Sequence, residues 1–182
     1  MSPPPLLPRL DEEALFNWYL ERIRHNILGH RETDTQHTVL PSRVLDLEWG
    51  QSTSLSLEAD VRLIETRGEN GEYATLSYCW GSYRGCITEQ ASYKDRSECI
   101  KFADLPKLFQ EAVYVTRKLR IKYLWIDGLC IIQDSDADWQ KEAAKMGEIY
   151  RNGQIRIAAT VAKDPTESFY PLKLIVTSVR TK

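Results

Sequence analysis

Three groups of residues have the types and spacing to do chemistry. Ser77, Tyr78, Cys79, Trp80 and Gly81 close a run in which Ala74, Leu76 and Tyr78 alternate with Thr75 and Ser77. Asp127 and Gly128 close the mainly apolar run that begins at Tyr123. Glu142 lies three residues beyond Trp139. An aromatic side chain for stacking, small residues for close backbone approach and a carboxylate for hydroxyls or amides together suit a nucleotide-like ligand. The plainer alternative is that Trp80 belongs to the core and Asp127 caps a turn.

A helical wheel singles out Glu142. At roughly 100° per residue from Trp139, the apolar residues Ala143, Met146, Ile149 and Tyr150 fall within about 80° of it, and Glu142 falls inside that stripe at about −60°. Glu148 falls on the opposite, solvated side. A carboxylate on a buried stripe is paired, neutralised or turned to a polar cavity, because leaving it buried alone costs several kcal/mol. A catalytic carboxylate occupies such a place, and so does a structural ion pair. Cys79 stands where a thiol nucleophile could, but His25, His30 and His37 all precede it, and nothing in the spacing brings one beside it as a base.

These residues need elements to position them. Asp11 is placed to cap an amphipathic helix over residues 11–28, with Leu15, Tyr19, Ile23 and Ile27 at helical spacing, flanked by Phe16 and Leu20. That helix either binds a partner or docks on its own domain. A short strand is expected within residues 40–49, another over residues 61–65, and a turn through Gly68, Asn70 and Gly71. A strand over residues 73–81 leads into an irregular stretch over residues 82–101. A helix follows, capped by Asp104, with Pro106 in its first turn and Leu108, Ala112, Val115 and Leu119 along one stripe. The run Tyr123 to Asp127 reads as a strand buried on both faces. Ser135 and Asp138 have capping-box spacing and open one continuous helix ending near Asn152 and Gly153. Residues 154–160 alternate as a strand, and residues 173–179 suit one more. Strand, helix, strand in this order predicts an α/β fold: a small parallel or mixed sheet flanked by helices, with its ligand site outside the carboxyl ends of the strands.

Composition limits the partners. The chain has 182 residues with 24 basic against 26 acidic side chains, a formal net charge of −2, so no global field recommends nucleic acid or an anionic membrane. No apolar run approaches the roughly 18 residues of a membrane span, and the opening MSPPPLLPRL does not read as a secretory signal. The four cysteines form no C-x-x-C pair and read as reduced thiols of an intracellular, cytoplasmic protein. The histidine spacing matches no metal motif, so no metal is expected.

The blocks LPSRVLDLEW, YATLSYCWG and the long run from Leu105 to Thr160 together resemble the successive blocks of the fungal heterokaryon-incompatibility (HET) domain, over roughly residues 40–165. Gly128 stands where a serine is usual in that family, and Gly153 where alanine is usual. The resemblance implies a domain of nonself recognition that triggers growth arrest or cell death, acting through homotypic or heterotypic protein partners. It divides the chain into an arm, residues 1–38, and a HET domain, residues 39–182, expected to be shortened at its C-terminus. The HET domain is in turn remotely similar to TIR domains, whose fold is flavodoxin-like. The pairs Ser77-Tyr78 and Trp139 with Glu142 match TIR features, and in NAD-cleaving TIR enzymes that glutamate is catalytic. Carried over, Glu142 is the candidate catalytic residue, and Ser77, Tyr78, Cys79, Trp80, Gly81, Asp127 and Trp139 are the candidate ligand-binding set. NAD would then be a substrate, with no cofactor required. The alternative is a non-catalytic module that signals by assembly.

Overall fold

The computed structural model describes residues 12–31, 38–48, 56–168 and 174–178. Strand β3 (Tyr73–Ser77) lies inside a mixed sheet, with β4 (Tyr123–Trp125) and β5 (Ile155–Ala159) parallel to it on either side. Outside β4 come β1 (Arg43–Asp46) and then β2 (Arg62–Glu65), and outside β5 comes β6 (Leu174–Ser178), each antiparallel to its neighbour. The sheet order is therefore β2-β1-β4-β3-β5-β6, and of the two expected forms it is the mixed one. Three parallel strands need crossovers, and the helices supply them.

Ala74, Thr75, Leu76, Leu124, Ile155 and Ile157 have no exposed surface at all, as expected of parallel strands covered on both faces. Between β3 and β4 runs α3 (Lys107–Lys118). Its predicted stripe of Leu108, Ala112, Val115 and Leu119 is buried. The helix is capped by Pro106, not Asp104, which lies in a preceding 3-10 turn, Phe102–Asp104. Proline has no N–H to satisfy, so it suits the first position of a helix. Arg117 is also buried, and its guanidinium donates to the carbonyls of Leu47, Leu57, Ala59 and Asp60.

Other expectations change in detail. Helix α1 (Glu12–Arg31) packs into the common core through Phe16 and Leu20. Tyr19, expected on the inner stripe, is 38% exposed beside the more exposed Trp18, so the buried face is rotated. The proposed Asp11 cap and the side chains of Leu15 and Ile27 lie outside the described residues. The stretch expected to be irregular contains α2 (Gln90–Glu98). No residue of that helix is buried, so it carries no apolar stripe for periodicity to reveal. It is tied down by polar contacts: the Ser92 hydroxyl accepts the Glu89 N–H, and Asp134 accepts the Gln90 N–H.

The largest correction concerns the last helix, which is broken. After β4 come a single turn, α4 (Asp127–Cys130), then α5 (Asp136–Ala143) and α6 (Met146–Asn152). One wheel cannot describe both sides of the break at Ala144 and Lys145. Trp139, its reference point, is 53% exposed, and the only buried residue of α5 is Glu142. Among the described residues, no helix is long and apolar enough to cross a membrane.

Candidate functional site

The loops that leave β3, β4 and β5 meet at the carboxyl ends of the parallel strands, where open α/β sheets bind ligands. Gly81 shows how tightly. It has a φ of +52°, and a Cβ built on it would lie 2.8 Å from the Lys163 carbonyl oxygen and 2.9 Å from Asp164 Cβ. A side chain there would push the loop after β3 off the loop after β5.

Asp127 is the hub. It opens α4 and accepts two hydrogen bonds, from the Trp80 indole N–H at 2.8 Å and from the Gly128 backbone N–H at 2.7 Å, with the Tyr78 hydroxyl near enough to act on its carboxylate. Burial pushes its carboxyl above the usual aspartate range, against the opposing pull of the donors around it. Burial, with Asp127 alongside, likewise raises the Tyr78 hydroxyl. The Tyr78 and Trp80 rings lie parallel with centroids 6.2 Å apart, and Phe109 of α3 meets Tyr78 edge-on at 5.2 Å. Arg84 places its guanidinium 5.2 Å from the Trp80 ring and donates to the carbonyls of Gly81 and Tyr83. Gly128 makes this closure possible. A Cβ at that position would lie 2.8 Å from the Tyr78 hydroxyl oxygen, so the absent side chain is the space the hydroxyl uses.

Tyr78, Trp80 and Asp127 are thus brought together, as expected. Asp127 bonds the Trp80 indole and fastens its own turn through the Gly128 N–H, and Tyr78, Trp80 and Asp127 are each half-buried. Ser77 ends β3 beside Ala158 of β5. Cys79 is an exposed thiol, and Cys130 is buried, its thiol pushed up to about 12 by burial. The one histidine whose side chain is described, His25, is exposed on α1.

Glu142 belongs to a second cluster. It is 2% exposed, and its Oε1 lies 3.7 Å from Lys145 Nζ and 4.0 Å from Lys141 Nζ, with no hydrogen bond to that oxygen. Lys145 also donates to the Ser42 hydroxyl at 3.2 Å. Next to it Arg43, buried on β1, donates to the Cys130 carbonyl and forms an ion pair with Asp138 of α5. Burial alone would lower the Arg43 guanidinium, but the hydrogen bond and charge of Asp138, with Glu142 adding to them, leave it raised. In return Arg43 and the Ile132 N–H hold the Asp138 carboxyl below its usual range against the effect of burial. The capping box is therefore only half made. Ser135 accepts the Asp138 N–H, while the Asp138 carboxylate turns to Arg43 and Ile132.

Both clusters touch α4, the first through Asp127 and Gly128 and the second through the Cys130 carbonyl, and Trp139 joins neither. Sequence reasoning missed Arg43, Asp138 and Thr88, whose hydroxyl donates to the Leu129 carbonyl and whose backbone pairs with residues 128 and 133. The available signal was Arg43 itself, a charge heading the otherwise apolar run Val44-Leu45. Among the described residues, no group of three or more His, Cys, Asp or Glu side chains is placed to hold a metal ion.

Residues 73–181, more than half of the chain, match a family whose description is Heterokaryon incompatibility protein (HET). No curated protein and no solved structure matches.

Proposed function

Because this chain belongs to the heterokaryon-incompatibility (HET) family, whose business is nonself recognition in fungi, we propose that it acts as a non-catalytic signalling module that works by assembling with protein partners. The observation that carries this reading is the burial of the candidate catalytic carboxylate, Glu142. Asp127 already accepts from Trp80 and Gly128. Glu142 is walled in beside Lys145 rather than turned to an open cleft. A carboxylate that is to stabilise a cation or steer a nucleophile must reach the substrate, and Glu142, 2% exposed, does not do so as placed. Exposed Trp18 and Trp139, at 60% and 53%, suit protein contact instead. On this reading the protein needs no cofactor, binds homotypic or heterotypic partners and works in the cytoplasm.

One observation favours the second reading, a TIR-like NAD-cleaving effector. Glu142 Oε1 is buried without a hydrogen bond, and an oxygen left in that state is available to a ligand that reaches it. Nicotinamide release from NAD by the folded chain at high protein concentration, beside Glu142→Gln, separates the two. The assembly reading expects no release from either protein and growth arrest from both when expressed in hyphae. Release that disappears in Glu142→Gln would overturn it.

A further inference from the structure

Helix α3 buries one stripe in the core and carries polar residues on the flank beside it. Lys107, Gln110, Glu111 and Tyr114 recur at i, i+3, i+4 and i+7, the spacing of one helix face. With Phe102 of the 3-10 turn and Glu58, which precedes β2, they line a cavity of about 250 Å³, and buried Val115 completes its wall. That volume falls below the roughly 300–1,000 Å³ of small-molecule and cofactor sites and suits one long side chain. The polar atoms around it are mostly acceptors. Glu58 is exposed and, among the described residues, takes part in no hydrogen bond or ion pair. Gln110 donates its side-chain amide to the Leu105 carbonyl at 2.8 Å, which leaves its own carbonyl oxygen to accept. Buried Glu111 accepts the Ser168 hydroxyl at 2.5 Å, and Lys107 Nζ stands 3.7 Å from it on an exposed side chain. Two carboxylates thus share one loosely held ammonium. The aromatic surface also takes a cation, since Lys118 Nζ already lies over the Tyr114 ring, 5.4 Å from its centroid.

From this we infer that the cavity receives the arginine side chain of a protein partner. The inference rests on the assembly reading and gives the partner a chemistry. The carboxylate left over by Lys107 calls for a cation, and the volume calls for a side chain and not a nucleotide. Arginine meets both conditions. Its planar guanidinium forks onto carboxylates and stacks on aromatic rings, while its methylenes can lie along Phe102 and Val115. Arginine is also among the residues enriched where protein surfaces meet.

The test is an NMR titration of the full chain with N-acetyl-arginine amide and, beside it, N-acetyl-citrulline amide, which has nearly the same shape without the charge. Saturable shifts at residues 107–115 are expected with the arginine compound and not with the citrulline one. Glu58→Gln should weaken binding by up to about five-fold, the range for an exposed ion pair. Lys107→Ala removes the internal competitor and should strengthen it. Both side chains are exposed, so both variants keep the fold, and amide spectra unchanged away from the cavity verify this. Equal binding of citrulline, no saturable binding, or a loss in both variants overturns the inference. In hyphae, Glu58→Lys sets a like charge against the incoming arginine and is expected to abolish the growth arrest caused by the unaltered chain. Arrest that survives this substitution also overturns the inference, although it leaves the assembly reading standing. Nicotinamide release dependent on Glu142 is the separate result that removes the assembly reading.

Discussion

The Trp80 indole N–H meets the Asp127 carboxylate at 2.8 Å, and this bond joins the loop after β3 to the first turn after β4. The residues it joins are 47 positions apart in the chain. It converts what reads as a pair of ligand-binding groups into a strut, and Tyr78 and Gly128 complete the strut from the other side.

That arrangement makes Gly128 and Tyr78 interdependent. Gly128→Ala would put a Cβ 2.8 Å from the Tyr78 hydroxyl oxygen, forcing it to move, and should cost about 1–3 kcal/mol, the range for overpacking a filled site. In a Tyr78→Phe background the hydroxyl is gone and the added methyl group has room. The same substitution should then cost markedly less, and a double-mutant cycle by urea denaturation reads the difference as coupling. Additive costs would show that the contact does not matter.

Two aspartates should act on acid stability in opposite directions. Asp127 has a raised folded pKa, so the stability it contributes is fully present below the ordinary aspartate value of 3.8 and is lost as pH rises through the folded value. Asp138 has a lowered one, so its contribution is present above that value and lost as pH falls through the folded value. Relative to the unaltered chain, Asp127→Asn should gain stability as pH rises from about 4. The deficit of Asp138→Asn should shrink as pH falls below it. Denaturation midpoints across this range check both signs.

Removing Asp138 at neutral pH leaves Arg43, whose side chain is 7% exposed, without its counter-ion. Asp138→Ala should cost about 3 kcal/mol, as expected when one partner of a buried pair is deleted. Lys145→Ala, which takes the nearer of two cations from the buried Glu142 carboxylate, should cost less, because the Lys145 side chain is 44% exposed and Lys141 remains 4.0 Å away. Equal losses would mean that the buried pair has no special part in holding α5 to β1.

Arg117 donates to four carbonyls and hydrogen-bonds no carboxylate, and burial lowers its guanidinium to about 10. Arg117→Met should cost about 3 kcal/mol or more, because Leu47, Leu57, Ala59 and Asp60 lose a charged donor together. Arg117→Lys should recover only part of this, since an ammonium cannot present the guanidinium fork. Thermal unfolding of the two variants provides the measure.

Trp139 separates packing from surface. At 53% exposure, Trp139→Ala should change stability by no more than about 0.5 kcal/mol. A larger loss in the denaturation midpoint would mean that the indole is part of the core after all.

The elements were legible in the sequence because each leaves a local trace. Alternation over residues 73–77 and 155–159, the stripe from Leu108 to Leu119 and the Ser135 cap all follow from side-chain periods of two and 3.6 residues, and these hold whatever the rest of the chain does. So does the family, since the order of its motifs is a property of the chain alone. Helix α2 escaped because a helix held by polar contacts has no apolar period, and the break at Ala144 escaped because a wheel assumes the continuity it is used to find. The site residues were legible as a set, but their roles were not. Whether Asp127 serves a ligand or ties down Trp80 depends on which donors reach it from positions 78, 80 and 128. Whether Glu142, whose two lysines are its neighbours in sequence, is buried or faces a cleft depends on how α5 settles against β1. Those are distances between segments far apart in sequence, set only when the sheet packs and burial makes every unpaired polar group costly, and the tertiary structure alone decided them.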